Sequence, residues 1–144
     1  MRLFLETKNP PAFAVLLLQK EVAERICSKK GKMSILSISV QYYGKPRIIA
    51  YVPKESFDPA PKVDSAILKI ELFDQKKQET EDFFRLVKIG FSSPRKILIN
   101  NLVNGFKIDK KKTEELLEKL NLKNSVRAQE LDLNDWKKLQ KLLK

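Results

Sequence analysis

AFAVLLLQ, residues 12–19, is a continuous apolar run of strand length. Such a run suits a strand covered on both faces, as in the interior of a parallel sheet. It also needs a neighbour on each edge, because unpaired N–H and C=O groups would otherwise face water. Segments further along the chain can supply one edge. Upstream, MRLFLETKNPP leaves room only for the end of a helix over residues 1–7, closed by Asn9-Pro10-Pro11. The run therefore reads as belonging to the tail of an α/β domain whose front is absent.

Working outward, KEVAERICSK (20–29) reads as a short helix with Val22, Ala23 and Ile26 on one side, ended by Gly31. SILSISVQYY (34–43) alternates apolar and polar residues, which predicts a half-buried strand. RIIAYVP (47–53) predicts its hairpin partner after a Gly44–Pro46 turn, and DSAILKIELF (64–73) a third alternating strand. DQKKQET (74–80) is a polar linker where strand signals stop. Helical signals follow. Thr80 caps one helix, and Ser93-Pro94 opens another that stops at Gly105. DKKKTEELLEKLN (109–121) and the stretch after Asp132 supply two more. The expected organisation is a strand-rich part over 1–74 and a helical part over 75–144.

The balance of 29 basic and 18 acidic residues gives a net charge of +11, which suits a polyanionic partner. The excess is +4 over residues 1–75 and +7 over residues 76–144, so it leans toward the helical part. No histidine is present, which excludes imidazole catalysis and histidine metal sites. A single cysteine, Cys27, excludes thiolate clusters and an internal disulfide. The four glycines are scattered and form no phosphate loop. No apolar run approaches the roughly 18–20 residues of a membrane span, and no export signal is read, so the expected compartment is the cytoplasm, away from membranes.

FDPAPKVDSA (57–66) places an aromatic ring at the head of a stiff connection. Pro59 and Pro61 fix φ and push Asp58 and Ala60 to extended geometry, so the ring of Phe57 is aimed. On the loop alone, that ring reads as a plug for the core.

Five stretches now stand in one order: LLLQKEVAERI (16–26), SILSISVQYYG (34–44), FDPAPKVDSAIL (57–68), FSSPRKILINNL (91–102) and VRAQELDLNDW (126–136). Together they closely resemble the KsgA-type small-subunit rRNA adenine dimethyltransferases and, less closely, the erythromycin-resistance rRNA methylases. The resemblance covers nearly the whole chain from about residue 12. It implies an α/β fold: the rear of a Rossmann-like class I methyltransferase domain, followed by a small all-α domain that docks on rRNA. The complete enzyme would use S-adenosylmethionine to dimethylate N6 of adjacent adenines near the 3′ end of small-subunit rRNA, without a metal. Its glycine-rich cofactor loop, its ribose-binding acid and its catalytic Asn-Leu/Ile-Pro-Tyr/Phe motif all belong to the front, and none is present here. This chain alone is therefore expected to bind no cofactor and to be inactive.

The resemblance also assigns residues. Phe57 would lie against the flipped target adenine. Arg95 and Lys96, in SSPRK (92–96), would contact RNA at a helix N-terminus, with Pro94 standing where the family often has a further basic residue. Lys62, Lys20 and Arg127 are lesser RNA candidates. For Lys20 an ion pair with Glu21 is an equal reading, and for Arg127 pairing with an acid or capping a helix competes. Asn9, in NPPA, resembles the amino-methylase signature but lacks its aromatic ring and lies too close to the strand, so it reads as a loop residue. DKKK (109–112) reads as a solvated helix start, and Tyr42, Tyr43 and Trp136 as core. The expected partner is small-subunit rRNA or an assembly intermediate of that subunit. Beside this reading stand a non-catalytic RNA-binding module, a split enzyme whose front is a separate chain, and a Met1 that truncates a longer gene.

Overall fold

The computed structural model describes residues 11–73 and 80–143. The helix expected over 1–7, the Asn9 loop and most of the 74–80 linker lie outside the described residues. The chain divides into two compact units, Met1–Ser28 with Ser39–Lys76, and Lys29–Ile38 with Lys77–Lys144.

The first unit is built on a three-stranded sheet in the order β1-β3-β2, from β1 (Phe13–Gln19), β2 (Gly44–Val52) and β3 (Ser65–Leu72). Central β3 runs antiparallel to both neighbours. The outer two strands therefore share a direction, and their carboxyl ends share one rim of the sheet. Ala66, Leu68 and Ile70 of β3 are fully buried on one face, as are Ala23 and Ile26 of α1 (Lys20–Ile26), which packs on the sheet.

The apolar run at 12–19 is the strand expected of it, but its partner among the described residues is antiparallel, and its coverage is one-sided. Phe13, Val15 and Leu17 are each 54% exposed. Leu72 N–H donates to the Ala12 carbonyl (3.0 Å) and Lys20 N–H to the Asp64 carbonyl (2.9 Å). These bonds set the phase of the ladder. Even-numbered residues turn their backbone groups toward β3, and Phe13, Val15 and Leu17 turn theirs to the opposite edge. Among the described residues, no strand pairs with that edge.

The stretch expected as an alternating strand over 34–43 is instead a helix, α2 (Ile35–Tyr43). Its start is built by two serines. Ser34 N–H donates to Ser37 Oγ (2.7 Å) and Ser37 N–H to Ser34 Oγ (3.2 Å), a reciprocal cap of the capping-box kind. At the other end, Gln41 Nε2 donates to the carbonyls of Ile26 (3.0 Å) and Ser28 (2.9 Å), tying the helix to the end of α1. Ile35, Ile38 and Val40 favour a strand locally, and the surroundings override that preference. The hairpin turn expected at Gly44–Pro46 is likewise absent, because these residues open β2 and pair with β3. Gly44 has no room for a side chain there, since a Cβ would meet the Glu71 carbonyl oxygen.

The second unit is helical: α3 (Thr80–Gly90), α4 (Leu98–Phe106), α5 (Lys110–Lys119) and α6 (Leu133–Leu142). Its core holds Phe83, Leu86 and Val87 of α3, Leu98, Ile99 and Leu102 of α4, Leu117 of α5, and Trp136 and Leu139 of α6, all essentially buried. The expected cap is present on α6, and α5 has one that the sequence reading did not single out. Asp109 accepts from Lys112 N–H (3.1 Å), and Asp132 from Asp135 N–H (2.9 Å). Gly105 does not stop α4, which continues to Phe106 and ends with Lys107 in the left-handed region (φ 54°). Gly105 is instead a close-approach site, since a Cβ would overlap the Ile89 side chain.

Segment 29–38 belongs to this unit. Gly31 N–H and Met33 N–H both donate to the Gln129 carbonyl (3.1 Å each), and Lys30 Nζ lies 2.7 Å from Asp135 Oδ2. Gly31 does not end α1, which stops at Ile26; its φ of +98° serves the turn that follows.

A candidate nucleic-acid interface

In the first unit, the candidates collect at the carboxyl rim of β1 and β2. Ligands of open α/β sheets bind outside the carboxyl ends of strands, where loops can present side chains from a rigid base. The loop from Pro53 to Asp64 springs from this rim. It opens with a 3-10 turn, Lys54–Ser56, in which Ser56 N–H donates to the Pro53 carbonyl (3.0 Å) and Phe57 N–H to the Lys54 carbonyl (3.3 Å). Phe57 follows in extended conformation (φ −116°, ψ 147°) and is half-buried rather than sealed in the core. The Asp58–Pro59 bond is cis. Lys62 is exposed on the same loop.

Lys20 begins α1 at this rim. Its ammonium lies 5.4 Å from the centre of the Tyr51 ring, a cation–π arrangement, and Tyr51 in turn donates its hydroxyl proton to Glu24 Oε1 (3.2 Å). Phe57, Lys62 and Lys20 thus share one end of the sheet. Tyr51 was not singled out by the sequence, and nothing in its spacing marks it. Cys27, half-buried nearby in the chain, has its thiol pushed up by burial, against a smaller opposing hydrogen bond from the Ile48 backbone, so it is no activated nucleophile.

In the second unit, Arg95 and Lys96 sit differently from expectation. SSPRK does not open a helix, because α4 starts at Leu98. Lys96 N–H donates to the Ser93 carbonyl (3.0 Å), making Ser93–Lys96 a turn with Pro94 at its second position. Proline's fixed φ serves that position as well as it serves a first helical residue. The amide of Leu98, where the helix does begin, is taken by the Val126 carbonyl (2.8 Å). Arg95 and Lys96 therefore stand as two exposed charges on the turn before the helix rather than in its first turn.

That turn is held from beneath by Asn101, 3% exposed, whose Nδ2 donates to the carbonyls of Gly90 (2.6 Å) and Ser93 (3.2 Å). Sequence reading missed Asn101. A polar residue inside the apolar face of ILINNL was the available signal.

The Leu98–Val126 bond also lays the segment carrying Lys96 beside the one carrying Arg127. Arg127 precedes a short 3-10 turn (Ala128–Glu130), and its backbone N–H, rather than its guanidinium, engages the Glu130 carboxylate (2.7 Å). The three basic candidates of this unit therefore lie along one seam, all exposed.

Comparison with known proteins gives the family of the chain. The ribosomal RNA adenine dimethylase family profile matches residues 1–143. Ribosomal RNA small subunit methyltransferase A of Dehalococcoides mccartyi (strain CBDB1) is 41% identical over 142 residues, covering 96% of this chain and 49% of the relative. Its namesake in Fusobacterium nucleatum is 38% identical, covering 96% and 54%. The chain thus spans about half the length of the curated relatives it matches.

The crystal structure of a dimethyladenosine transferase from Plasmodium falciparum aligns with a TM-score of 0.78 at 28% identity, over 96% of this chain and 59% of that one. The 23S rRNA methyltransferase ErmE aligns with a TM-score of 0.74 at 20% identity and speaks to the fold alone. The fold is therefore that of the rear of a Rossmann-like methyltransferase with its helical appendage. On the match over residues 1–143 and the identity to the curated relatives, the chain belongs to the ribosomal RNA adenine dimethylase family.

Proposed function

We propose that this chain is the base-side wall and RNA-docking portion of an S-adenosylmethionine-dependent rRNA adenine N6-dimethyltransferase. It acts on adjacent adenines near the 3′ end of small-subunit rRNA during ribosome biogenesis in the cytoplasm. Residues 1–74, apart from segment 29–38, form the rear of the methyltransferase domain, and residues 75–144, with that segment, the rRNA-docking domain. Phe57 stacks on the extruded adenine, which replaces part of the stacking lost when the base leaves its helix. Lys62 and Lys20 meet the backbone beside it, and Arg95, Lys96 and Arg127 grip rRNA from the helical domain.

The observation that carries this reading is the stiff loop holding a half-buried Phe57 at the carboxyl rim of the sheet. On this reading the methyl donor's site lies outside the described residues. Gly44, Gly90 and Gly105 each have the space of a side chain filled by the protein's own atoms, and Gly31 sits in an isolated turn. None leaves a cradle for a nucleoside cofactor. The donor is held by a front half, which pairs with the open edge of β1 and covers Phe13, Val15 and Leu17, either in the same polypeptide or as a separate chain.

The test mixes the purified chain with a polypeptide corresponding to the front half of the Dehalococcoides relative. Unmethylated small subunits and radiolabelled S-adenosylmethionine complete the reaction. Methyl incorporation is expected in the mixture only. Incorporation by the 144-residue chain alone would overturn the proposal. A second reading, a non-catalytic RNA-binding module in subunit assembly, is favoured by the net charge of +11 and predicts tight subunit binding with no incorporation in any mixture.

A further inference from the structure

The loop that carries Phe57 leaves β2 at Pro53 and returns to β3 at Ser65. A loop of this length explores many conformations unless something pins its ends together. Here one residue does so. Asp64 Oδ1 accepts the Lys54 N–H at 3.1 Å, across ten positions of sequence. The Asp64 carbonyl accepts the Lys20 N–H at 2.9 Å. The first bond shuts the mouth of the loop, and the second fixes that mouth to the junction of β1 and α1.

Between Lys54 and Phe57 lies a single 3-10 turn, closed by the Lys54 carbonyl accepting the Phe57 N–H (3.3 Å). Holding Lys54 therefore holds the turn that sets where Phe57 begins. Pro59 and Pro61 stiffen the far side of the loop but cannot fix its mouth, since proline restricts local φ and makes no cross-loop bond.

We propose that Asp64 is the positioning residue for Phe57: its carboxylate locks the loop at Lys54 so that the ring stands at a set height over the sheet rim. The same clip ties Lys20 and the Lys62-bearing loop into one unit. The role of Asp64 in binding rests on the stacking role given to Phe57, whereas the closure of the loop does not.

The experiment uses the full chain and has two arms. Trypsin can cut after Lys54 and after Lys62, both exposed on the loop. When opening and reclosing are fast, cleavage reports the population of the open loop. Asp64→Ala should raise the initial cleavage rate at these sites about 5–10-fold, the net worth of one ordinary hydrogen bond at an exposed position. Asp64→Asn keeps an oxygen acceptor at the same place and should stay within about threefold of the parent. Circular dichroism melting checks that each variant is folded. Equal cleavage in the parent and Asp64→Ala would overturn the proposal, as would an Asn variant as labile as the Ala variant.

The second arm measures affinity for a single-stranded oligoadenylate. Phe57→Ala should weaken it about tenfold, Asp64→Ala should weaken it comparably, Asp64→Asn should restore it, and the double Ala variant should be no weaker than Phe57→Ala alone. Loss in Phe57→Ala without loss in Asp64→Ala would overturn the positioning role. No loss in Phe57→Ala would remove the stacking reading instead, and the cleavage arm then decides the loop closure by itself.

Discussion

Asn101→Ala is the perturbation whose cost can be worked most directly from the structure. The Asn101 amide is 3% exposed and donates to two carbonyls, Gly90 at 2.6 Å and Ser93 at 3.2 Å. Truncation leaves both acceptors facing a small void, and an unsatisfied buried polar group costs about 1–3 kcal/mol. The Gly90 carbonyl belongs to a buried residue and should incur most of this. Ser93 is a half-exposed residue, and its carbonyl can recruit water. The expected loss is therefore about 2–4 kcal/mol. With a urea slope of about 1–3 kcal/mol per molar, the midpoint should fall by about 1–2 M. Trp136, the one tryptophan in the chain, is fully buried in the same unit and stacks on Phe91 with ring centres 5.7 Å apart, so its fluorescence reports this unfolding. Asn101→Asp is the sharper control. It conserves shape but, ionised, only accepts hydrogen bonds, so it should cost at least as much as alanine at neutral pH. A midpoint shift below about 0.3 M for alanine, or an aspartate variant as stable as the parent, would refute the reasoning.

Three further outcomes are expected. Replacing Arg95 and Lys96 together with alanine should flatten the slope of log affinity against log salt by about 1–2, measured with a 3′ fragment of small-subunit rRNA. An unchanged slope would take both residues out of the interface. Gly90→Ala places a methyl where the Trp136 ring already lies, and should destabilise the helical unit by about 1–3 kcal/mol in the same urea assay. A neutral result would mean the ring can move aside. The Lys30 ammonium is held above its usual pKa chiefly by its hydrogen bond to Asp135, and it is largely exposed. Its contribution, under about 1 kcal/mol, should be fully present below the ordinary lysine value near 10.4 and fade as pH rises through the higher folded value. The stability gap between the parent and Lys30→Met should therefore be flat to about pH 10 and close above it. A gap that persists at pH 12 would contradict that assignment.

Much of this molecule was legible because some residue types permit few alternatives. The apolar run at 12–19 was legible as a strand, although among the described residues its partner is antiparallel and its cover one-sided. Asp132 announced its helix, because a short acceptor before a run of free amides has one cheap use there. Failures came where one pattern serves two structures. Alternation over 34–43 satisfies a half-buried strand, yet Ser34 and Ser37 are spaced to cap one another at a helix start. Ser93-Pro94 opens a turn as readily as a helix, since both fix the same φ. Gly105 read as a stop because close packing against Ile89 leaves no mark in local sequence. The clips at the candidate site, Asp64 and Asn101, were illegible for a related reason. Each acts on backbone groups eight to eleven positions away, and that reach appears only in the folded chain.

The measurement that bears most directly on the whole account is a calorimetric titration of S-adenosylmethionine into the purified 144-residue chain. With the nucleic-acid grip in these residues and the methyl donor held by a front half, no saturable heat is expected up to millimolar cofactor. Tight binding at one cofactor per chain would contradict it.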